Sequence, residues 1–160
     1  MKRKLKLYLE TTIFNFVFAE DSLEKRDDTL KLFAEIKQGL YEVFTSKYVL
    51  DELERAGEPK RSKMKALIKD YGVEILPTLP SIVELSEKYI EMGMIPAKYP
   101  DDALHIAAAS VWNMDVIASW NFKHIVKIKT VMMTEAINNM CGYSRVMIHS
   151  PKEIIEYDGR

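Results

Sequence analysis

Five short apolar runs recur along the chain, and a stretch with helical spacing follows each of them. They are Leu5 to Leu9, Tyr41 to Thr45, Val73 to Leu76, Val116 to Ala118 and Val146 to Ile148. Each is too short for a helix and reads as a strand. Thr11 and Thr12 open a short apolar helix to about residue 18. Ser22 to Lys37 is amphipathic through Leu23, Leu30, Phe33 and Ile36, and stops at Gly39. Thr45 or Ser46 caps a helix through Arg55 carrying Val49, Leu50 and Leu53, and Pro59 starts a basic helix from Lys60 to Asp70. Further helices cover Ser81 to Met92, the Ala-rich Asp101 to Trp112, and Thr134 to Met140, with a last turn after Pro151. Buried strands alternating with helices predict an α/β chain with a mostly parallel sheet covered on both faces.

The 160 residues suffice for one good core and are short for two, so the chain reads as a single domain over 1–160. Apolar residues make up 48%, and the formal charge is 23 − 24 = −1, which excludes a disordered chain and a wholesale polyanion binder. The single cysteine, Cys141, excludes a disulfide framework and any zinc site built on several thiolates. It reads as a buried or inert thiol, and the nine methionines read as core filler. No apolar run reaches the roughly 18 residues of a membrane span. The basic start, Met1 to Lys6, leads into a stretch broken by Glu10, Thr11 and Thr12, so we expect no signal peptide and a cytoplasmic location. The glycines are scattered singly, and neither G-x-G-x-x-G nor a Walker A pattern occurs.

Sites in parallel α/β sheets form at the carboxyl ends of strands. Glu10 follows the first strand, and Glu52 lies in the helix after the second. Asp101 and Asp102 open the helix before the fourth strand, and Ser119 and Asn121 follow that strand. Taken singly, these residues also read as a loop acid, a solvated face and helix caps. Taken together, they converge. Two carboxylates about 4 Å apart repel by roughly 4 kcal/mol at an effective dielectric near 20, so converging acids call for a proton or a cation. Hard oxygen ligands suit Mg²⁺ or Mn²⁺. An ion held this way can activate water and neutralise a phosphoryl oxygen, which is the chemistry of phosphodiester hydrolysis.

Four segments then resemble, in order, the motifs of the PIN domain family. Tyr8-Leu9-Glu10-Thr11-Thr12-Ile13-Phe14 is similar to the opening motif, a strand ending in an acid followed by Thr or Ser. Ser46 with Val49, Glu52 and Leu53 resembles the second, and Asp102-Ala103-Leu104-His105-Ile106-Ala107-Ala108 the third. Ser119-Trp120-Asn121 resembles the fourth, over a span of roughly residues 5 to 150. The resemblance implies a three-layer α/β/α sandwich and Mg²⁺- or Mn²⁺-dependent cleavage of single-stranded or structured RNA. It implies Glu10, Glu52 and Asp102 as metal ligands, with Asp101 joining or supporting them. Ser119 and Asn121 would position water or metal, and Thr11 belongs to the first acid's motif. Many stand-alone PIN domains are similar to VapC toxins, homodimers restrained by an antitoxin that enters the acidic groove.

Two positions depart from the pattern. The family carries Asp where this chain has Glu10, and the extra methylene moves the carboxylate by about 1.5 Å. Asn121 brings an oxygen but no charge. A second reading is therefore a PIN-like module that binds RNA or protein without turnover. A small-molecule phosphatase is disfavoured because the chain has no D-x-D.

His105 reads as a packed helix histidine rather than a substrate contact. His124, beside Lys123, is either a phosphate contact or an ordinary loop residue. Lys60 to Lys65 and Lys123, Lys127 and Lys129 form basic clusters that read as a positive rim or as solvated faces. Phe14, Phe16, Val17 and Phe18 read as dimer interface or core.

Overall fold

The computed structural model describes residues 3–155. The central strand β1 (Leu5–Leu9) ends in Leu7, Tyr8 and Leu9, which are fully buried. These three consecutive residues are covered on both faces, as in a strand that sits mid-sheet. After it come α1 (Thr11–Phe16), α2 (Leu23–Lys37), β2 (Tyr41–Ser46), α3 (Lys47–Glu54), α4 (Lys60–Asp70) and β3 (Glu74–Leu76). The second half runs α5 (Pro80–Glu91), α6 (Pro100–Val111), β4 (Val116–Ala118), α7 (Ile128–Cys141), β5 (Met147–His149) and α8 (Pro151–Ile155).

The five strands form one sheet in the order β3-β2-β1-β4-β5, and all four pairings are parallel. The α/β class and parallel sheet expected from the alternation are what the structure has. The chain winds outward from β1 to β3, then returns to lay β4 on the other side of β1. Right-handed crossovers in opposite directions put α2 and α7 on opposite faces. The reversal makes the carboxyl ends of β1 and β4 a topological switch point, where a crevice opens. Ala103, Ala107, Ala108 and Ala109 of α6 are fully buried, and these small side chains let that helix approach its neighbours closely.

Several element bounds differ from the sequence reading: β2 runs on to Ser46, β3 starts at Glu74, and α5 and α6 each begin one residue earlier. Helix α7 starts at Ile128 rather than near Thr134, because its first turns carry apolar residues that face outward; Ile128 is 78% exposed. Its stop is Gly142, whose φ of 84° is the left-handed conformation that favours glycine. Strand β5 is Met147–His149, one residue later than read. Helix α1 ends at Phe16, so residues 17 and 18 form a turn. Phe14 is core, with Phe16, Val17 and Phe18 half-buried against it. Cys141, read as buried or inert, is exposed.

Candidate metal centre

The backbone N–H of Glu10 donates to the carbonyl of Ala118 at 3.2 Å, which pins the residue between the ends of β1 and β4. Its side chain is 3% exposed. Glu10 Oε1 accepts from Thr12 Oγ1 and from Ser119 Oγ, both at 2.6 Å. Each hydroxyl is itself held by a backbone donor. Trp120 N–H donates to Thr12 Oγ1 at 2.8 Å, and Asn121 N–H donates to Ser119 Oγ at 2.9 Å. The hydroxyls therefore have their protons directed at the carboxylate.

Glu52 reaches the same crevice from the second turn of α3. Its Oε1 accepts from Thr11 Oγ1 at 2.7 Å and is bonded to His105 Nε2. His105 is fully buried and uses both ring nitrogens, since Nδ1 lies 2.9 Å from Tyr8 Oη. Tyr8 Oη is in turn 2.6 Å from Ser46 Oγ. A buried chain of polar groups thus runs from β2 through β1 and α6 to α3. Ligand atoms of Glu10, Glu52 and His105 all lie within 4.8 Å of one another.

Asp102 stands beside this trio with its own supports. Its Oδ1 accepts from Asn121 Nδ2 at 3.2 Å, and its Oδ2 is 2.8 Å from His124 Nδ1. Asn121 Oδ1 accepts from the backbone of His124 at 2.9 Å, closing a small ring of bonds. Asp101 turns to the surface, where its Oδ2 pairs with Arg55 Nη1 at 3.0 Å. The structure therefore groups Glu10 and Glu52 with His105, places Asp102, Ser119, Asn121 and Thr11 around them, and leaves Asp101 in a separate ion pair.

Burial sets the direction at Glu10 and Asp102, and hydrogen bonds and charges set it at Glu52 and His105. Burial pushes the Glu10 carboxyl above its ordinary value, more than the His105 charge and the two hydroxyl bonds pull it down. It raises Asp102 likewise, against the His124 bond. Burial also pushes Glu52 up, but the His105 bond and charge, Thr11 and Arg55 outweigh it and hold Glu52 below its ordinary value. For His105 burial favours the neutral ring, yet the bond to Glu52 and the charges of Glu10, Glu52 and Asp102 raise its pKa.

The donor set fits a divalent cation. Two carboxylates within 4.8 Å repel by ~3 kcal/mol at an effective dielectric near 20, which a cation relieves. The protein's donors converge on one oxygen of each glutamate. Among the described residues, no hydrogen bond reaches Oε2 of either, so each keeps an oxygen for an ion. Carboxylate oxygens suit Mg²⁺ and Mn²⁺ alike, and His105, with both ring nitrogens engaged, orients Glu52 rather than offering a free donor.

Sequence reasoning missed Tyr8, Thr12 and the direct part played by His105. The signals were present. Tyr8 and Glu10 are two residues apart on one face of a strand, and Asp102 and His105 are one helical turn apart. His124, read toward phosphate or loop, holds Asp102. In the first basic cluster Arg61 pairs with Glu58 at 3.5 Å and Lys65 pairs with Glu54, so part of it is a solvated, internally paired face.

No family model matches the chain, and no curated protein matches it. Among solved structures, the chain is similar to the crystal structure of VapBC2 from Rickettsia felis bound to a DNA fragment from their promoter. The likeness covers 91% of this chain and 98% of that one, at 15% identity and a TM-score of 0.58. At that identity it shows the fold, an α/β domain with the same arrangement of sheet and helices.

Proposed function

We propose that this chain is a divalent-metal-dependent ribonuclease of PIN type and the toxin of a toxin–antitoxin pair. The observation that carries the reading is the convergence of Glu10, Glu52 and His105, with Asp102 beside them, at the switch point of the sheet. Mg²⁺ or Mn²⁺ bound there would supply an activated water and neutralise charge on the phosphoryl group. Glu10 and Glu52 would hold the ion. Thr12 and Ser119 fix Glu10, and Thr11 and His105 fix Glu52. Asp102 completes the acidic set, its carboxylate oriented by Asn121 and His124. Asp101, committed to Arg55, has no part in this account. The four-motif resemblance supports RNA as substrate, and the fold likeness to VapBC2 agrees with it and supports an antitoxin partner. A homodimer is the assembly the resemblance implies, and light scattering of the purified chain reads it.

The second reading, a module that binds without cutting, draws on one observation. The Glu10 carboxylate already accepts two short hydroxyl bonds and faces the His105 charge, so the cluster holds together with protein groups alone. Incubating the protein with a mixed RNA pool, with and without Mn²⁺ or Mg²⁺, separates the two. We expect cleavage that requires metal and disappears in Asp102→Asn. Folded protein that cuts under no metal, or an Asp102→Asn variant that cuts as well as the parent, would overturn the nuclease reading.

A further inference from the structure

Two aromatic groups with lysines over them adjoin the Asp102–Asn121 pair. Phe122 directly follows Asn121, is 48% exposed, and meets the Trp120 ring edge-on at 5.9 Å. Lys25 Nζ, from α2, lies over three rings there, at 5.0 Å from Phe122, 5.4 Å from Phe16 and 5.7 Å from Trp120. In the second group, the half-buried Tyr99 packs its ring on His124 at 4.2 Å between centroids. Lys123 Nζ and Lys98 Nζ lie over Tyr99 at 5.6 and 6.0 Å. Both groups are tied to the acid. Asp102 N–H donates to the Tyr99 carbonyl at 3.2 Å, His124 Nδ1 bonds Asp102, and Asn121 Nδ2 bonds the same carboxylate.

Phe122, an exposed ring beside an ammonium, offers apolar surface and a positive charge within one nucleotide's reach, and the half-buried Tyr99 offers what His124 leaves of its ring. Unpaired nucleotides carry the complement, a π face on each base and a phosphate anion between bases. A duplex keeps its base faces stacked inside, so it cannot use such rings. We propose that Phe122 and Tyr99 are stacking platforms for unpaired bases flanking the phosphodiester at the acidic cluster, with Lys25, Lys98 and Lys123 taking the neighbouring phosphates. This inference rests on the ribonuclease reading for its ligand but not on turnover.

The test measures binding rather than cleavage. A short fluorescein-labelled oligoribonucleotide is titrated with the full chain in EDTA, by anisotropy, as a single strand, as a duplex, and as a strand with abasic positions. The wild type binds the intact strand more tightly than either other probe. Phe122→Ala and Tyr99→Ala each weaken strand binding by about ten-fold while barely changing duplex binding. Phe122→Trp and Tyr99→Phe keep the affinity, and Phe122→Leu, apolar but without a π face, does not. Thermal melts establish that each variant is folded. Equal binding of strand, duplex and abasic probe, or wild-type affinity in Phe122→Leu, would overturn the platforms while leaving the nuclease reading standing. Strand binding that depends on both rings, together with failure of the metal to support cleavage, keeps the platforms and removes the nuclease. No binding to any probe overturns the platforms, and the metal-dependent cleavage assay then judges the nuclease reading separately.

Discussion

Glu10 and His105 are ionisable groups in the interior, each held by side-chain hydrogen bonds. His105 satisfies Glu52 with one nitrogen and Tyr8 with the other, so deleting the ring leaves both partners short of a bond. We predict that His105→Ala destabilises the metal-free protein by about 3 kcal/mol in urea titration, with His105→Gln recovering part of it through an amide donor. The pH dependence has a sign at each group. His105 has a raised pKa, so its stabilisation is complete below its ordinary value of 6.5 and is lost as pH rises through the elevated one. Glu52 is depressed, so its contribution is complete above 4.5 and is lost as pH falls through the lower value. Glu10 and Asp102 are raised, so folding favours their protonated forms, and that advantage is lost as pH rises past their values. All but Glu52 therefore lose stabilisation as pH rises, and a divalent ion offsets the accumulated negative charge. Melting of the full chain should show Mn²⁺ raising Tm more near pH 8 than near pH 5; an equal shift at both would contradict this assignment.

Helices and strands differ in how far the sequence displays them. The strand β1 was legible because Leu5, Leu7 and Leu9 make a short apolar run, and Glu10 was legible as the acid just past its end. Helix α6 was legible from its alanines and its opening pair of aspartates. The start of α7 was not, because Ile128 and Met132 are apolar and exposed, so neither face carries a stripe. Tyr89 on α5 shows why polar core positions escape a hydrophobic pattern. It is fully buried, 3.1 Å from Ser110 Oγ of α6, and also bonds Asn138 of α7. Replacing it with Phe should lower stability by about 1–2 kcal/mol, seen as a shifted urea midpoint at unchanged slope, because Asn138 and Ser110 lose a shared partner. Leu9→Ala, which empties space at the centre of the sheet, should cost about 3 kcal/mol by the same measurement.

The whole molecule brings together residues that the sequence keeps far apart, and the sheet order β3-β2-β1-β4-β5 does this by reversing its winding between β1 and β4. Glu10 and Ser119 were legible as strand-end residues for that reason. The grouping of Glu52 with His105 rather than with Asp102 was not, because spacing gives a helix face but not the direction of a side chain across the crevice. Among the described residues no helix is long and apolar enough to cross a membrane. Lys25, which the sequence did not mark, meets Phe122 from a distant helix. RNA affinity should therefore fall with salt, and Lys25→Gln should flatten that dependence in the anisotropy titration. The claim on which the rest depends is that the acidic crevice holds a divalent ion, and calorimetric titration of the metal-free chain with Mn²⁺ reads it directly. We predict a single ion per chain, an affinity lowered by at least about ten-fold in Glu10→Gln and Glu52→Gln, and no change in Asp101→Asn. Folded wild-type protein that takes up no Mn²⁺, or uptake untouched by both glutamine variants, would contradict the account.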